Sequence, residues 1–284
     1  MKRILACIDA SGYAASVCDL AAWAAARLPA AIDVLHVVQR KDPAASQHDL
    51  SGAIGLGVKT DLLEELTRLD EAQSRLEIER GRLLLEMATQ RLSAASAAEA
   101  HPLHRHGGII ETILELEEAA DLVVIGKRGA SSEFAQDHIG SKIERIVRAS
   151  AKPVLVASRQ IPEIGSVVVA YDGSPAARKA VRIVATSPLF AGLDVHVVMA
   201  GSEDAASRQR LEQATTAFEG SDTQPSLHLI SGRAEAVIAE QVAARPNAML
   251  VMGAYGHSPL RTLIIGSTTT AMVRTVRAPV LLIR

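Results

Sequence analysis

Apolar residues fall in short runs at about 3–8, 32–38, 122–125 and 154–157, and again near 166–171, 194–199, 226–230, 248–252 and 280–283, and the first and fourth strands of each half are continuously apolar in character. Runs of this kind suit strands covered on both faces of a parallel sheet. A weaker, edge-like strand fits 101–106. Helical stretches fit 13–28, 108–119 and 141–150, then 175–187, 203–218, 233–245 and 267–276. Strands and helices that alternate through short loops predict an α/β chain made of doubly wound units.

The chain is written twice. Leu5-Ala6-Cys7-Ile8-Asp9-Ala10-Ser11 matches Val168-Val169-Ala170-Tyr171-Asp172-Gly173-Ser174. Asp121-Leu122-Val123-Val124-Ile125-Gly126 matches Ala248-Met249-Leu250-Val251-Met252-Gly253, and Pro153-Val154-Leu155-Val156 matches Pro279-Val280-Leu281-Leu282. A Val/Leu-His-Val-Val segment is shared around His36 and His196. The Pro/Gly-containing stretch 160–165 reads as the join. The expected units are 1–160 and 165–284, each a doubly wound domain.

Asp9 lies 117 residues before Gly126, whereas Asp172 lies 81 before Gly253, so the first unit carries a surplus at about 39–100. Within it Leu62, Leu66, Leu69, Leu76, Leu83 and Met87 form a heptad face interrupted by Gln73 and Arg80. A helix over 59–98 would run about 60 Å at 1.5 Å per residue. Two readings stay open: an elongated helix packed on its own domain, or an arm for self-association. The preceding Gly52-Ala53-Ile54-Gly55-Leu56-Gly57 lacks a buried strand before it and a Lys-Ser/Thr after it, so it reads as a hinge rather than a phosphate loop.

Composition narrows the functions. Seven aromatic residues in 284 leave few stacking platforms for single-stranded nucleic acid. A net charge of −2 gives no footprint for nucleic acid or an anionic membrane. No apolar run approaches 18 residues, and the five-residue apolar stretch near the start is too short for a signal peptide. Cys7 and Cys18 offer neither a disulfide framework nor metal-ligand spacing and read as small buried residues. The expected compartment is the cytoplasm, with neither nucleic acid nor membrane as partner.

The strongest chemical signal is Gly253-Ala254-Tyr255-Gly256, nine residues, then Gly266-Ser267-Thr268. It starts where a buried strand ends and stops where a helix begins. A helix start presents unpaired N–H groups and the positive end of the helix dipole. Glycines let the backbone approach an anion, and hydroxyls add donors, so the segment suits a phosphate chain. His257 could contact phosphate or poise a water, or simply lie at the surface. Asp172, at the end of its unit's first strand, could accept hydrogen bonds from a ribose or base. Val197, at the end of the second strand, could meet an adenine edge.

On these residues the sequence resembles the universal stress protein A family, as a tandem member with two copies in one chain. The family pattern of Gly, two residues, Gly, nine residues, Gly, then Ser or Thr is met by Gly253, Gly256, Gly266 and Ser267. Its early Asp falls on Asp172 and its adenine-side position on Val197. The resemblance implies five-stranded parallel sheets of order 3-2-1-4-5 with helices on both faces. It implies ATP binding and dimers formed partly through the last strand, so the expected partners are ATP or ADP and a second copy of the chain as a homodimer; a bound triphosphate would bring Mg²⁺ between its phosphates.

The first unit departs from this pattern. Ten residues, not nine, separate Gly129 from Gly140, and Ala10 stands where the second unit has Gly173. Glu133 and Asp137 would oppose a phosphate chain, whereas Lys127 and Arg128 would favour one. This unit fits a structural copy better than a nucleotide site. Glu117 and Glu118 read as a solvated helix face.

The expected function is an ATP-binding stress or signalling regulator with an unidentified protein partner. Slow hydrolysis is compatible with it, although no general base, arginine finger or Walker lysine can be named. The alternative is a nucleotide-independent interaction or small-molecule (lipid) binding protein. An adenylate-forming enzyme would need a Ser-Gly-Gly-x-Asp-Ser loop, which is absent from both Asp9-Ala10-Ser11-Gly12 and Asp172-Gly173-Ser174-Pro175.

Overall fold

The computed structural model describes residues 2–39, 56–129, 141–254 and 267–284. The first half runs β1 (Lys2–Cys7), α1 (Ala14–Arg27), β2 (Ala30–Val38), α2 (Leu56–Ala95), β3 (Ala100–His106), α3 (Ile109–Leu116), β4 (Leu122–Gly126), α4 (Ser141–Ala149) and β5 (Val154–Ala157). The second runs β6 (Ser166–Ala170), α5 (Pro175–Thr186), β7 (Asp194–Ala200), α6 (Ala205–Glu212), β8 (Ser226–Ile230), α7 (Ala234–Ala243), β9 (Ala248–Gly253), α8 (Ser267–Thr275) and β10 (Val280–Ile283). The chain is therefore an α/β protein with a mostly parallel sheet.

All ten strands join one sheet of order β3-β2-β1-β4-β5-β10-β9-β6-β7-β8. Pairing is parallel within each half. The halves meet where β5 and β10 run antiparallel, with Val280 opposite Val156 and Leu282 opposite Val154. A pseudo-two-fold axis thus passes between the last strands, and the carboxyl ends of the two parallel sets point in opposite directions.

The strand sequences explain the layers. In β1, Ile4 and Ala6 enter a core on one face of the sheet, and Leu5 enters the core on the other. Helices α1, α2, α5 and α6 cover the first face, and α3, α4, α7 and α8 cover the second. Each core draws on both halves, so the apolar layers continue across the β5–β10 seam. Burial on both faces is what makes these strands continuous apolar runs rather than alternating ones.

Polar contacts reinforce the seam. The Arg27 guanidinium donates to the carbonyl oxygens of Leu189 (3.3 Å) and Ala191 (2.9 Å). Within the first half, the Ser16 hydroxyl donates to Arg159 O at 2.6 Å and holds the start of the join against α1. Lys127 Nζ donates to Val276 O at 2.7 Å, just past the end of α8. Lys127, expected to favour a phosphate, is instead spent on the opposite half. Burial, followed by the charges of Arg128 and Arg277, pushes its pKa down to about 8.

Glu117 also departs from expectation. It is 4% exposed rather than solvated. It accepts the Ala151 N–H at 2.9 Å and the Ser150 hydroxyl, tying the turn after α3 to the segment before β5. Cys18 is buried as the sequence suggests, whereas Cys7 is part-buried. Burial pushes the Cys18 pKa up to about 11, and burial with the nearby Glu117 carboxylate pushes Cys7 up as well. At neutral pH neither thiol has thiolate character to offer.

Helix α2 packs on its own domain at its carboxyl-terminal end, as one of the two readings of the surplus segment expects. Its end rests on the first core through Leu85, Ala88 and Leu92, and Arg91 clasps Asp19 of α1 at 2.6 and 2.7 Å. Gly81 marks where the helix lands on the sheet: a Cβ there would stand 2.7 Å from His36 Cδ2. From Glu64 to Leu76 every residue is exposed. No helix among the described residues is long and apolar enough to cross a membrane.

Candidate functional site

The turn after β6 is built by its own sequence. The Asp172 carboxylate accepts the Ser174 N–H at 2.8 Å, closing an Asx turn. Gly173 sits at φ +76°, a conformation that favours glycine. Ser174 caps α5 by accepting the Ala177 N–H at 3.2 Å, and Pro175 opens the helix. The Asp172 side chain is left exposed at the carboxyl edge of the sheet.

Gly253 reaches the same edge from β9. The β6–β9 register ends at Ala170 opposite Met252, which brings Gly253 beside the Asp172 turn. A Cβ on Gly253 would stand 2.8 Å from the Ala176 carbonyl carbon and 2.9 Å from Ala177 N. The glycine therefore lets a strand end press against the first turn of α5, whether or not a ligand is bound.

The remaining expected residues divide. Gly256, His257 and Gly266 lie outside the described residues. Ser267 opens α8. The Thr268 hydroxyl donates to Glu235 Oε1 at 3.0 Å, at the start of α7, and is thereby committed to that helix. The carboxyl of Glu235 is held below its ordinary range by its own backbone N–H and by Thr268. Val197, expected at a strand end, lies inside β7, paired with Val169 and Leu227 and fully buried. The residues at the carboxyl end of β7 are Met199 and Ala200.

Two cations at this edge escaped the sequence reading. The Arg178 guanidinium donates to the Gly173 carbonyl oxygen. Arg210, from α6, lies over Gly173, where a Cβ would meet its Cδ at 2.6 Å. Arg178 follows the Ser174 cap by one helical turn, a spacing that could have flagged it. Nothing local announces Arg210. Beside them Tyr171 is 4% exposed and its pKa is raised mainly by that burial. Its hydroxyl has no hydrogen-bond partner among the described residues.

The first half repeats the turn with a different cover. Asp9 accepts the Ser11 N–H at 3.1 Å, as Asp172 accepts that of Ser174. Here the Ser11 hydroxyl donates to Arg128 O at 3.3 Å, and a Cβ on Gly129 would stand 2.9 Å from Asp9 Oδ2. The backbone after β4 thus folds over the aspartate. The two halves also share a histidine pair: His36 and His104 have ring centroids 5.6 Å apart, and His196 Nδ1 lies 3.2 Å from His228 Nε2.

Comparison with known proteins accounts for the doubled architecture. The universal stress protein family model matches residues 1–158 and 186–284. The chain belongs to the universal stress protein family. It is 36% identical over 287 aligned positions, and over the whole length of both chains, to the universal stress protein Slr1230 of Synechocystis sp.. A universal stress protein from Archaeoglobus fulgidus shares its fold with a TM-score of 0.72 at 21% identity, covering 99% of this chain and 97% of that one. A universal stress protein structure from Pseudomonas aeruginosa superposes with a TM-score of 0.64 at 16% identity, covering 99% and 92%. Membership makes this a stress-related protein in the sense of its family.

Proposed function

We propose that the second half binds ATP at the carboxyl edge of β6 and β9, and that occupancy regulates a stress or signalling partner in the cytoplasm. The observation that carries this reading is the segment from Gly253 through Gly256 to Gly266 and Ser267, which joins the end of β9 to the start of α8. The exposed Asp172 carboxylate fits a ribose or base contact. Arg178 and Arg210 fit an anionic ligand beside it. Among the described residues no three His, Cys, Asp or Glu gather to hold a metal. Mg²⁺ would therefore arrive on the phosphates of the nucleotide. Titration calorimetry with MgATP tests the reading: about one site per chain supports it, and no heat of binding in a folded sample refutes it.

A second reading, a small-molecule or lipid binder independent of nucleotide, is favoured by a different feature. A groove of about 490 Å³ runs between the end of α2 and the edge strand, lined by Leu85, Thr89, Pro102 and His104 among others. Mass spectrometry of small molecules released from the purified chain separates the two, since one expects a nucleotide and the other a lipid.

A further inference from the structure

The α2 arm carries an apolar stripe that is exposed among the described residues. Leu66 is 42% exposed, Leu69 58%, Leu76 51%, Leu83 46% and Met87 67%. These are large side chains on one face of one helix. Leu62, Leu69, Leu76 and Leu83 recur every seven residues, and Leu66, Gln73, Arg80 and Met87 follow each by four. The first set is an unbroken d layer of a two-stranded coiled coil over nearly four heptads, the length such coils need, and the second is its a layer, apolar at Leu66 and Met87 and interrupted by Gln73 and Arg80. The face turned toward the sheet is a different one, using Leu85, Ala88 and Leu92.

A second copy of the chain fits this stripe better than an unrelated partner, because the stripe complements itself in one direction. Residues 61–72 carry five carboxylates against Arg68 alone. Residues 73–91 carry four arginines against three glutamates. A parallel pair would set the acidic halves together and stand Arg80 against its own copy in an a layer. An antiparallel pair sets acidic half against basic half. With residue i facing 149 − i, every a position meets a d position of the other chain: Leu66 against Leu83 of the partner subunit, Gln73 against Leu76 of the partner subunit. Arg80 then faces Leu69 of the partner subunit, with Asp70 of the partner subunit beside it to receive the charge.

The fold supplies a further reason. Strands β5 and β10 are paired with each other inside the chain, so the last-strand surface is already used. We propose that the chain self-associates through α2 as an antiparallel two-stranded coiled coil, holding two sheet bodies at opposite ends of the coil. This does not rest on nucleotide binding, and its test is run without nucleotide.

The test is sedimentation of the full chain at micromolar concentrations, wild type beside Leu69→Glu/Leu76→Glu. Both positions are exposed, so the double variant keeps its sheet. The expected result is a dimeric wild type and a monomeric variant with the same thermal transition. Orientation is read by mixing a Leu69→Cys chain with an Arg80→Cys chain under oxidation, where a disulfide between the two supports the antiparallel register. A monomeric wild type overturns the proposal and leaves the stripe to a different protein. A variant that stays dimeric overturns it by placing the interface elsewhere. Disulfides formed by Leu69→Cys alone, and not by the mixture, overturn the antiparallel orientation.

Discussion

Gly253→Ala should weaken the fold before any nucleotide is added. The new methyl carbon would stand 2.8 Å from the Ala176 carbonyl carbon, 2.8 Å from Ala176 Cβ and 2.9 Å from Ala177 N. Ordinary contact begins near 3.4 Å. The obstructing atoms are mostly backbone, so the end of β9 and the first turn of α5 must separate by about half an ångström. Overpacking of this kind costs roughly 1–3 kcal/mol. The same movement stretches the Ser174 cap on Ala177, worth about 1 kcal/mol. Restricting the unfolded chain returns roughly 0.4–1 kcal/mol, since Gly253 is not among the residues at positive φ. The net expectation is about 1–3 kcal/mol of destabilisation. With an unfolding entropy near 2.1 cal/mol/K per residue, that lowers the Tm of a chain this size by about 2–5 °C.

The assay is thermal denaturation without nucleotide, with Gly201→Ala as the control. Gly201 has its nearest neighbour, Ser207 Oγ, 3.8 Å from a built Cβ, so its variant should melt like wild type. If Gly253→Ala also melts like wild type, the close approach to α5 is not what demands glycine, and the argument fails. The outcome bears on function, because a glycine required by packing is weaker testimony for a ligand than a glycine required by nothing else.

Asp172→Ala offers a cleaner probe of binding, since the side chain is exposed and its hydrogen bond from the Ser174 N–H closes a local turn; losing a charged contact worth roughly 1.5–3 kcal/mol should weaken ATP binding about 10- to 150-fold by calorimetry, while the melting curve barely moves. Glu117→Ala removes the carboxylate that holds Ser150 and Ala151 and should cost about 2–4 kcal/mol in chemical denaturation; an unchanged midpoint would show those bonds to be dispensable. Lys127 gives a pH signature. Its folded pKa, about 8, lies below its ordinary 10.5, so between those values the unfolded state binds the extra proton and stability rises with pH. The gain is at most about 3 kcal/mol, less for its partial exposure, and Lys127→Met should flatten the rise relative to wild type between pH 8 and 10.5.

Strands were legible in the sequence because burial on both faces leaves a local mark: every residue of Leu122–Ile125 must be apolar, and each one is. The Asp172-Gly173-Ser174-Pro175 turn was legible for a similar reason, since its Asx bond, left-handed glycine and helix cap are all contacts between near neighbours. What the sequence hid is long-range and polar. Glu117 meets Ser150 across 33 residues and Lys127 meets Val276 across 149, and in each case the local charge pattern suggested a different role. Arg210 lies over Gly173 from 37 residues further along the chain, carried there by α6, which packs beside β8. Val197 was misplaced within its strand because an unbroken apolar run does not mark where the sheet's edge cuts it.

The sheet itself limits how this chain can associate. Fusing two repeats in one chain pairs β5 with β10 and leaves β3 and β8 as the edges. An exposed edge strand invites pairing with another chain unless its sequence prevents it. In β3 the run Ala100–His106 holds Pro102, which lacks an N–H, together with Arg105 and three histidines. Charge and proline on an edge are common means of blocking sheet extension. The β8 edge is only five residues long. The sheet's centre is therefore closed by its own partner, and its edges are poor templates. A helix that leaves the body at Gly81, with leucines repeating every seven residues and opposite charge at its two ends, then stands as the self-complementary surface among the described residues.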